Sequence, residues 1–199
     1  MATFAIVTFG CKVNQYDSQT IREALLAAGW RECAPTDAAD CYIVNTCCVT
    51  RESQRKSLQV ARRLARRHPA AHVVVAGCCV DADREAAASL QGVALAVGND
   101  EKPRLAELLG ALVGQEPGAA PRQVSVWPQI SRFEGHSRAF VKIEDGCNDF
   151  CSYCIVPYVR GRVRSRPPEE VVAEVERLVG NGYREVVLTG IHLGAYGSE

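Results

Sequence analysis

Three cysteines fall within eight residues in Cys147-Asn148-Asp149-Phe150-Cys151-Ser152-Tyr153-Cys154, with three residues in the first gap and two in the second. Thiolates so spaced are metal ligands. Three of them leave one iron of a four-iron cluster without a protein ligand, and an open iron is what a substrate or cofactor needs in order to coordinate. A closed zinc site would want a fourth ligand, for which the sequence offers His136 or His192. A zinc knuckle is therefore the competing reading of the same residues.

The chain has 199 residues and ten cysteines, and MATFAIVTFGC lacks the basic start and apolar core of a secretory signal. The expectation is a cytoplasmic protein whose thiols are reduced, so the cysteines point to metal or redox chemistry rather than disulfides. No apolar run is long enough to span a bilayer, which excludes a membrane partner. Hydrophobic residues at 47% and charged residues at 23% give a globular composition, which excludes disorder and collagen-like repeats.

The elements that must position these thiols follow from periodicity. Phe4–Thr8 reads as a strand and Asp17–Ala28 as a helix through Ile21, Leu25 and Leu26. The pattern recurs with a strand at Cys41–Val44 and a helix from about Ser53 to His68, then a strand at His72–Ala76 and a helix at Asp81–Leu90. A short strand at Ala94–Val97 precedes a helix from Pro103 to Val113. Alternation of this kind predicts an α/β, Rossmann-like domain over residues 1–113, with a parallel sheet covered by helices on both faces. Ligands of such sheets gather outside the carboxyl ends of the strands, and Cys11, Cys47 and Cys78 each follow one of the first three. Three thiols distant in sequence are thereby expected at one place. Independent small buried thiols are the alternative.

Residues 114–135 read as a linker, with prolines, glycines and one short extended stretch. From 136 to 199 a strand at Ala139–Ile143, the cysteine-rich loop, a helix at Pro167–Val179 and a strand at Glu185–Thr189 form the start of a βαβ series. About sixty residues are too few to close a barrel of alternating strands and helices. The expectation is the front part of a longer protein.

The CxxxCxxC spacing with an aromatic before the last cysteine resembles the radical S-adenosylmethionine (SAM) superfamily. Taken with GCKVNQYDS, VNTCCVT, VVVAGCC, EDGCNDFCSYCIVPYVRGRVRSR and LTGIHLGAYG, in that order over nearly the whole chain, the sequence resembles the methylthiotransferase family. The resemblance implies a methylthiotransferase domain followed by the beginning of a radical SAM (β/α) partial barrel. It implies two 4Fe-4S clusters, an auxiliary one on Cys11, Cys47 and Cys78 and a SAM-cleaving one on Cys147, Cys151 and Cys154. Tyr153 would lie against the adenine of SAM, and Gly190 and Gly194 would allow close backbone approach at the cofactor. The implied activity adds a methylthio group to carbon 2 of an adenosine in tRNA, with an external electron donor. The stretch GCKVN is similar to the members acting on N6-threonylcarbamoyladenosine at position 37, whereas isopentenyladenosine members tend to read GCQMN. Cys48 and Cys79 directly follow Cys47 and Cys78, which leaves a register choice that the NTC and GC motifs decide for the first of each pair. Cys33 and Cys41 match no motif and are expected to be structural thiols.

Lys and Arg number 23 against 23 Asp and Glu, so bulk charge gives no support for RNA binding and local clusters must carry it. Arg62, Arg63 and Arg66 lie in a basic helix that also holds Arg51, Arg55, Lys56 and Arg67. Arg160, Arg162, Arg164 and Arg166 follow the cluster loop at strand spacing, which would turn them to one side, toward phosphate or the SAM carboxylate. Asn14 and Asn45 are expected to close loops at strand ends. A noncatalytic metal-binding and RNA-binding module is the rival of another class.

Overall fold

The computed structural model describes residues 1–114 and 127–199; residues 115–126, which hold most of the expected linker and its extended stretch, lie outside the described residues. The first part is a five-stranded, all-parallel sheet in the order β2-β1-β3-β4-β5. Its strands are β1 (Thr3–Thr8), β2 (Arg31–Glu32), β3 (Cys41–Thr46), β4 (His72–Gly77) and β5 (Val93–Val97). Helices α1 (Lys12–Ala27), α2 (Arg51–Arg67), α3 (Cys78–Ala82), α4 (Arg84–Ala88) and α5 (Leu105–Leu112) connect and flank them.

Side-chain alternation along the strands splits the core in two, as both-face coverage requires. Phe4, Ile6, Ile43, Val74 and Ala76 meet Ile21 and Leu25 of α1 and Leu105 and Leu109 of α5. Ala5, Tyr42, Val44, Val73 and Val75 meet Ala61 and Leu64 of α2 and Ala87 of α4. Continuous burial of β3 over all six residues marks it as the middle of the sheet. Thr50 starts α2 by accepting a hydrogen bond from the Ser53 amide, and Arg66 and Arg67 in its last turn complement the helix dipole.

Three elements depart from the expected limits. Helix α1 begins at Lys12, five residues before its apolar period becomes visible, because its first turns bury Asn14, Asp17 and Ser18 among Val13 and Tyr16 and so break the period. The expected helix at 81–90 is two short helices broken at Asp83, which leaves the helical region and caps α4 by accepting from the Ala86 amide. The helix expected from Pro103 is a 3-10 turn over Asn99–Arg104 that runs into α5.

In the second part β6 (Ala139–Lys142) pairs in parallel with β9 (Val186–Thr189), and α7 (Pro168–Gly180) makes the crossover. Pro168 opens α7 and Glu169 and Glu170 fill its first turn, where a missing amide and negative charge are tolerated best. Three elements here carry no sequence period: the short strands β7 (Glu144–Asp145) and β8 (Arg164–Ser165), which pair antiparallel, and the helix α6 (Val156–Arg160). The expected Arg160–Arg166 strand therefore does not form as one element. Arg160 ends α6, and only Arg164 and Ser165 are in a strand.

The two parts share a polar seam. Tyr16 of α1 reaches Glu174 of α7 at 2.9 Å and the Pro128 carbonyl at 2.8 Å, and Glu174 also accepts from the Ile130 amide at 2.7 Å. Burial and the adjacent Glu174 push the Tyr16 hydroxyl upward, so it stays a donor.

Candidate metal centres

Register fixes the first site. Thr8 pairs with Asn45, Asn45 with Ala76 and Thr46 with Gly77, so β1, β3 and β4 end level with one another. Cys11, Cys47 and Cys78 leave those three adjacent strands at one sheet edge. Cys11 is exposed at the start of α1, while Cys47 and Cys78 are buried. Polar ties hold the three loops together. Asn14 Nδ2 donates to the Phe9 and Thr46 carbonyls at 2.8 Å each, Thr46 Oγ1 donates to the Ala76 carbonyl at 2.6 Å, and the Cys79 amide donates to Thr46 Oγ1 at 3.1 Å. Asn45 Nδ2 donates to the Asn14 carbonyl and Ser18 Oγ at 2.9 Å each. Both asparagines thus close the strand-end loops.

The paired cysteines differ in chemistry. A Cβ on Gly10 would stand 2.8 Å from Cys47 Sγ, so the Cys47 thiol faces the loop that carries Cys11. The Cys48 thiol sits against Cys78, 3.3 Å from its carbonyl oxygen and within hydrogen-bonding reach of its sulfur. That hydrogen bond, with Arg160, Lys102 and the Asn99 amide nearby, brings the Cys78 thiol down to about 5, whereas burial pushes Cys79 up to about 11. Metal ligands are thiolates. Cys78 is held in that form and Cys79 is not; burial raises Cys47 too, so the first pair is separated by geometry, with Cys47 facing the Cys11 loop and Cys48 donating to Cys78. Cys41, buried in β3, is pushed up to about 12 by burial and is a core thiol; Cys33 donates weakly to the Phe4 carbonyl at 3.4 Å.

Beside this site lies a group of charges that no sequence period announces. Asp17 Oδ2 meets Lys102 Nζ at 2.9 Å and Arg160 Nη1 at 3.2 Å, and Asp17 Oδ1 meets Lys142 Nζ at 2.7 Å. Asp145 pairs with Lys142 and Arg160 at 3.2 Å each. All five are buried. Burial alone would raise both acids; Lys102, Lys142 and Arg160 outweigh it at Asp17, and Lys142 and Arg160 at Asp145, so both stay below the ordinary carboxylate range. A cavity of about 320 Å³, lined by Asp17, Asn99, Lys102, Trp127, Lys142 and Asp145 among others, opens beside them. Asn14 carries a sequence signal as the loop-closing residue of GCKVN; Asp17, Lys102 and Asn99 carry none.

The cluster loop follows β7. Gly146 stands at φ 89°, and a Cβ there would meet the Arg162 carbonyl oxygen at 2.0 Å, so the loop enters past backbone that only glycine admits. Cys151 is exposed, Cys147 and Cys154 are half-buried, and Tyr153 is 90% exposed rather than packed into the loop. Gly190 lies where a Cβ would meet Glu144 Oε2 at 2.6 Å, and that oxygen accepts from the His192 amide at 2.6 Å. His192 Nδ1 lies 3.9 Å from Cys147 Sγ and 3.3 Å from Asp149 Oδ2. Among the described residues, Cys147, Asp149 and His192 are the one set of three such groups with ligand atoms all within 4.8 Å of one another. Neither cysteine triad is drawn that tightly, which is the spacing one zinc ion would need at ~2.3 Å from each sulfur. His136 packs edge-on to Phe133 and tilted against Phe140. Sets of three thiols spread wider than one ion can span fit four-iron clusters better than a single ion.

The arginines do not act as one row. Arg166 is closed off from solvent with its guanidinium on Glu174 and Glu170, which leaves no face for a phosphate, and Arg160 is spent on Asp17 and Asp145. Arg162 lies over the Phe150 ring at 5.3 Å, and Arg164 pairs with Asp100 at 3.0 Å. On α2, Arg62, Arg63 and Arg66 are exposed, and among the described residues no carboxylate pairs with them. Glu52 takes Arg55 and Lys56 instead.

Residues 3–98 match the family described as uncharacterized protein family UPF0004, and residues 141–196 match the radical SAM superfamily. The chain is 44% identical, over 98% of its length, to the threonylcarbamoyladenosine tRNA methylthiotransferase MtaB of Chlamydia pneumoniae, of which it covers 44%. It is 35% identical over its whole length to the tRNA-2-methylthio-N(6)-dimethylallyladenosine synthase of Pelotomaculum thermopropionicum, covering 47% of that protein. The chain thus spans a little under half the length of these curated relatives. In fold it is similar to the radical SAM methyltransferase TsrM of Kitasatospora setae, solved with tryptophan and a SAM analogue, at TM-score 0.63 and 16% identity over 98% of this chain and 49% of that one. Sheet, cysteine loop and the order of the two matched segments define a radical SAM protein with an amino-terminal UPF0004 domain. Within that class the chain is similar to the tRNA methylthiotransferases, the MtaB members among them. Among the described residues no helix is long and apolar enough to cross a membrane.

Proposed function

We propose that this chain serves a tRNA methylthiotransferase that adds a methylthio group to carbon 2 of N6-threonylcarbamoyladenosine at position 37, in the cytoplasm, with electrons from an external donor. Cys11, Cys47 and Cys78 hold an auxiliary 4Fe-4S cluster, and Cys147, Cys151 and Cys154 hold the one that binds SAM. When bound, that second cluster supplies the electron that cleaves SAM to a 5′-deoxyadenosyl radical. Tyr153, with its exposed ring, and Gly190 flank the adenine of SAM. Arg62, Arg63 and Arg66 follow the tRNA backbone, and Arg162 and Arg164 approach it near the cluster loop. The domain boundary falls within residues 114–135, between the two matched segments.

The observation that carries this reading is the level ending of β1, β3 and β4, which delivers three cysteines from three adjacent strands to one edge. The test is iron and acid-labile sulfide per chain after anaerobic reconstitution, with the Cys147/Cys151/Cys154 triple Ala variant beside it. About eight irons falling to about four supports two clusters on these ligands. Zinc, or about four irons unmoved by the triple substitution, sinks it. Nucleoside mass spectrometry of tRNA from cells with and without the protein then decides the substrate, since loss of the methylthio group from isopentenyladenosine would move the protein to the other subfamily.

A further inference from the structure

Helix α6 stands between the two cysteine triads. It begins two residues after Cys154, and its Val159 packs with Cys48, Cys78 and Cys79 at the other site. Two contacts dock it there. Asn99 Nδ2 donates to the Val159 carbonyl at 2.9 Å and lies 3.6 Å from Cys78 Sγ. Arg160 reaches Asp17 and Asp145 at 3.2 Å each and hydrogen-bonds the Asn14 side chain. Asp145 precedes Cys147 by two positions, and Asn14 ties together the loops that carry Cys11 and Cys47. One guanidinium therefore touches side chains that fix the β1-α1 loop, the end of β3 and the entry to the cluster loop.

We propose that Arg160 is the positioning residue that sets the separation and orientation of the two cysteine triads, by clamping α6 and Asp145 against Asn14 and Asp17. The proposal rests on the two-cluster reading above. Arginine alone can make this clamp, because its planar fork offers five donors to three acceptors at once, whereas a lysine ammonium is a single point charge. Removing it leaves the acids partnered, since Asp17 keeps Lys102 and Lys142, and Asp145 keeps Lys142. The loss should fall on geometry before it falls on folding.

The experiment uses the chain with Arg160→Met, Arg160→Lys and, as a surface control, Arg138→Met, whose residue pairs with Glu185 on the surface. Three quantities are read: iron per chain, the magnetic coupling between the two reduced clusters by electron paramagnetic resonance, and amide exchange at Tyr158 and Val159 in the metal-free chain. Both Arg160 variants should keep about eight irons, show an altered coupling, and exchange those amides about tenfold faster or more. The control should match the unsubstituted chain in all three. Unchanged coupling and exchange in Arg160→Met overturn the proposal, and so does loss of iron from both sites, which would make Arg160 a folding residue. If the unsubstituted chain holds only about four irons, the two-cluster reading fails by itself. Exchange then decides whether Arg160 clamps α6, and an unchanged rate overturns the clamp.

Discussion

Gly10 gives its side-chain space to Cys47. A Cβ on Gly10 would lie 2.7 Å from the Cys47 Cβ and 2.8 Å from its sulfur, and the glycine already stands at φ 99°. Alanine there meets both a steric and a conformational obstacle. Gly10→Ala should cost about 1–3 kcal/mol of stability and displace the Cys47 thiol from the shared edge. Reconstituted iron should fall from about eight to about four per chain, with the CxxxCxxC cluster intact. Full iron in this variant would show that Cys47 is not confined by Gly10.

Cys48 and Cys78 predict opposite outcomes for neighbouring substitutions. Because the Cys48 thiol hydrogen-bonds Cys78, Cys48→Ala removes a donor and leaves the sulfur edge of Cys11, Cys47 and Cys78 in place. Iron should be retained, while Cys47→Ala should lose the auxiliary share. The metal-free chain gives a second readout: Cys78 is held down to about 5 mainly by the Cys48 hydrogen bond, so its alkylation rate should be flat from pH ~7 to ~9 and become pH-dependent in Cys48→Ala. Loss of iron in Cys48→Ala would reverse the register.

Strand ends and cysteines are legible in the sequence because apolar alternation marks β1, β3 and β4 and each ends in a cysteine motif. Both-face helices follow from the same alternation. The charge group is not legible. Asp17 and Asn14 interrupt an amphipathic pattern and so hide the first turns of α1, and Asp17's partners Lys102, Lys142 and Arg160 lie 85, 125 and 143 positions away in the chain. The arginines after the cluster loop mislead for a related reason. Alternate spacing resembles a strand, yet Gly161 at φ 76° ends α6 between Arg160 and Arg162 and turns them to different surroundings.

Asp17 meets three cations in a buried setting, so neutralising it leaves them short of a counter-charge. Asp17→Asn should destabilise the chain by about 3 kcal/mol at pH ~7. Its carboxyl is depressed in the folded state, so the stability it contributes is complete above the unfolded value near pH ~4 and lost as pH falls through the lower folded value. Urea unfolding should therefore show a constant gap between the two chains from pH ~7 to ~5, narrowing below pH ~4. A gap that narrows between pH ~7 and ~5 would assign the effect to another group.

Arg166 and the α2 arginines separate structural from nucleic-acid roles. Arg166 and Glu174 are both fully buried and paired, so Arg166→Met strands a carboxylate and should cost about 3–5 kcal/mol. Its folded fraction should bind tRNA with the same salt dependence as the unsubstituted chain. A shallower salt slope would put Arg166 on the phosphate after all.

On α2, Arg62, Arg63 and Arg66 are exposed and none has a carboxylate partner among the described residues, so their charge is free to neutralise phosphates. Each contact made releases counterions, and the dependence of log affinity on log salt falls by roughly 0.7–0.9 per contact removed. The triple change Arg62/Arg63/Arg66→Gln should thus weaken tRNA binding at low salt and flatten the slope by about two, with unfolding shifted only by the small helix-dipole contribution of Arg66, since no buried group is touched. Arg55→Gln serves as the control on the same helix, since its guanidinium is already shared with Glu52 at 2.9 Å. Equal effects of the control and the triple variant would mean that the helix face acts only through its overall charge. No effect of either would remove α2 from the tRNA surface and leave Arg162 and Arg164 beside the cluster loop to carry it.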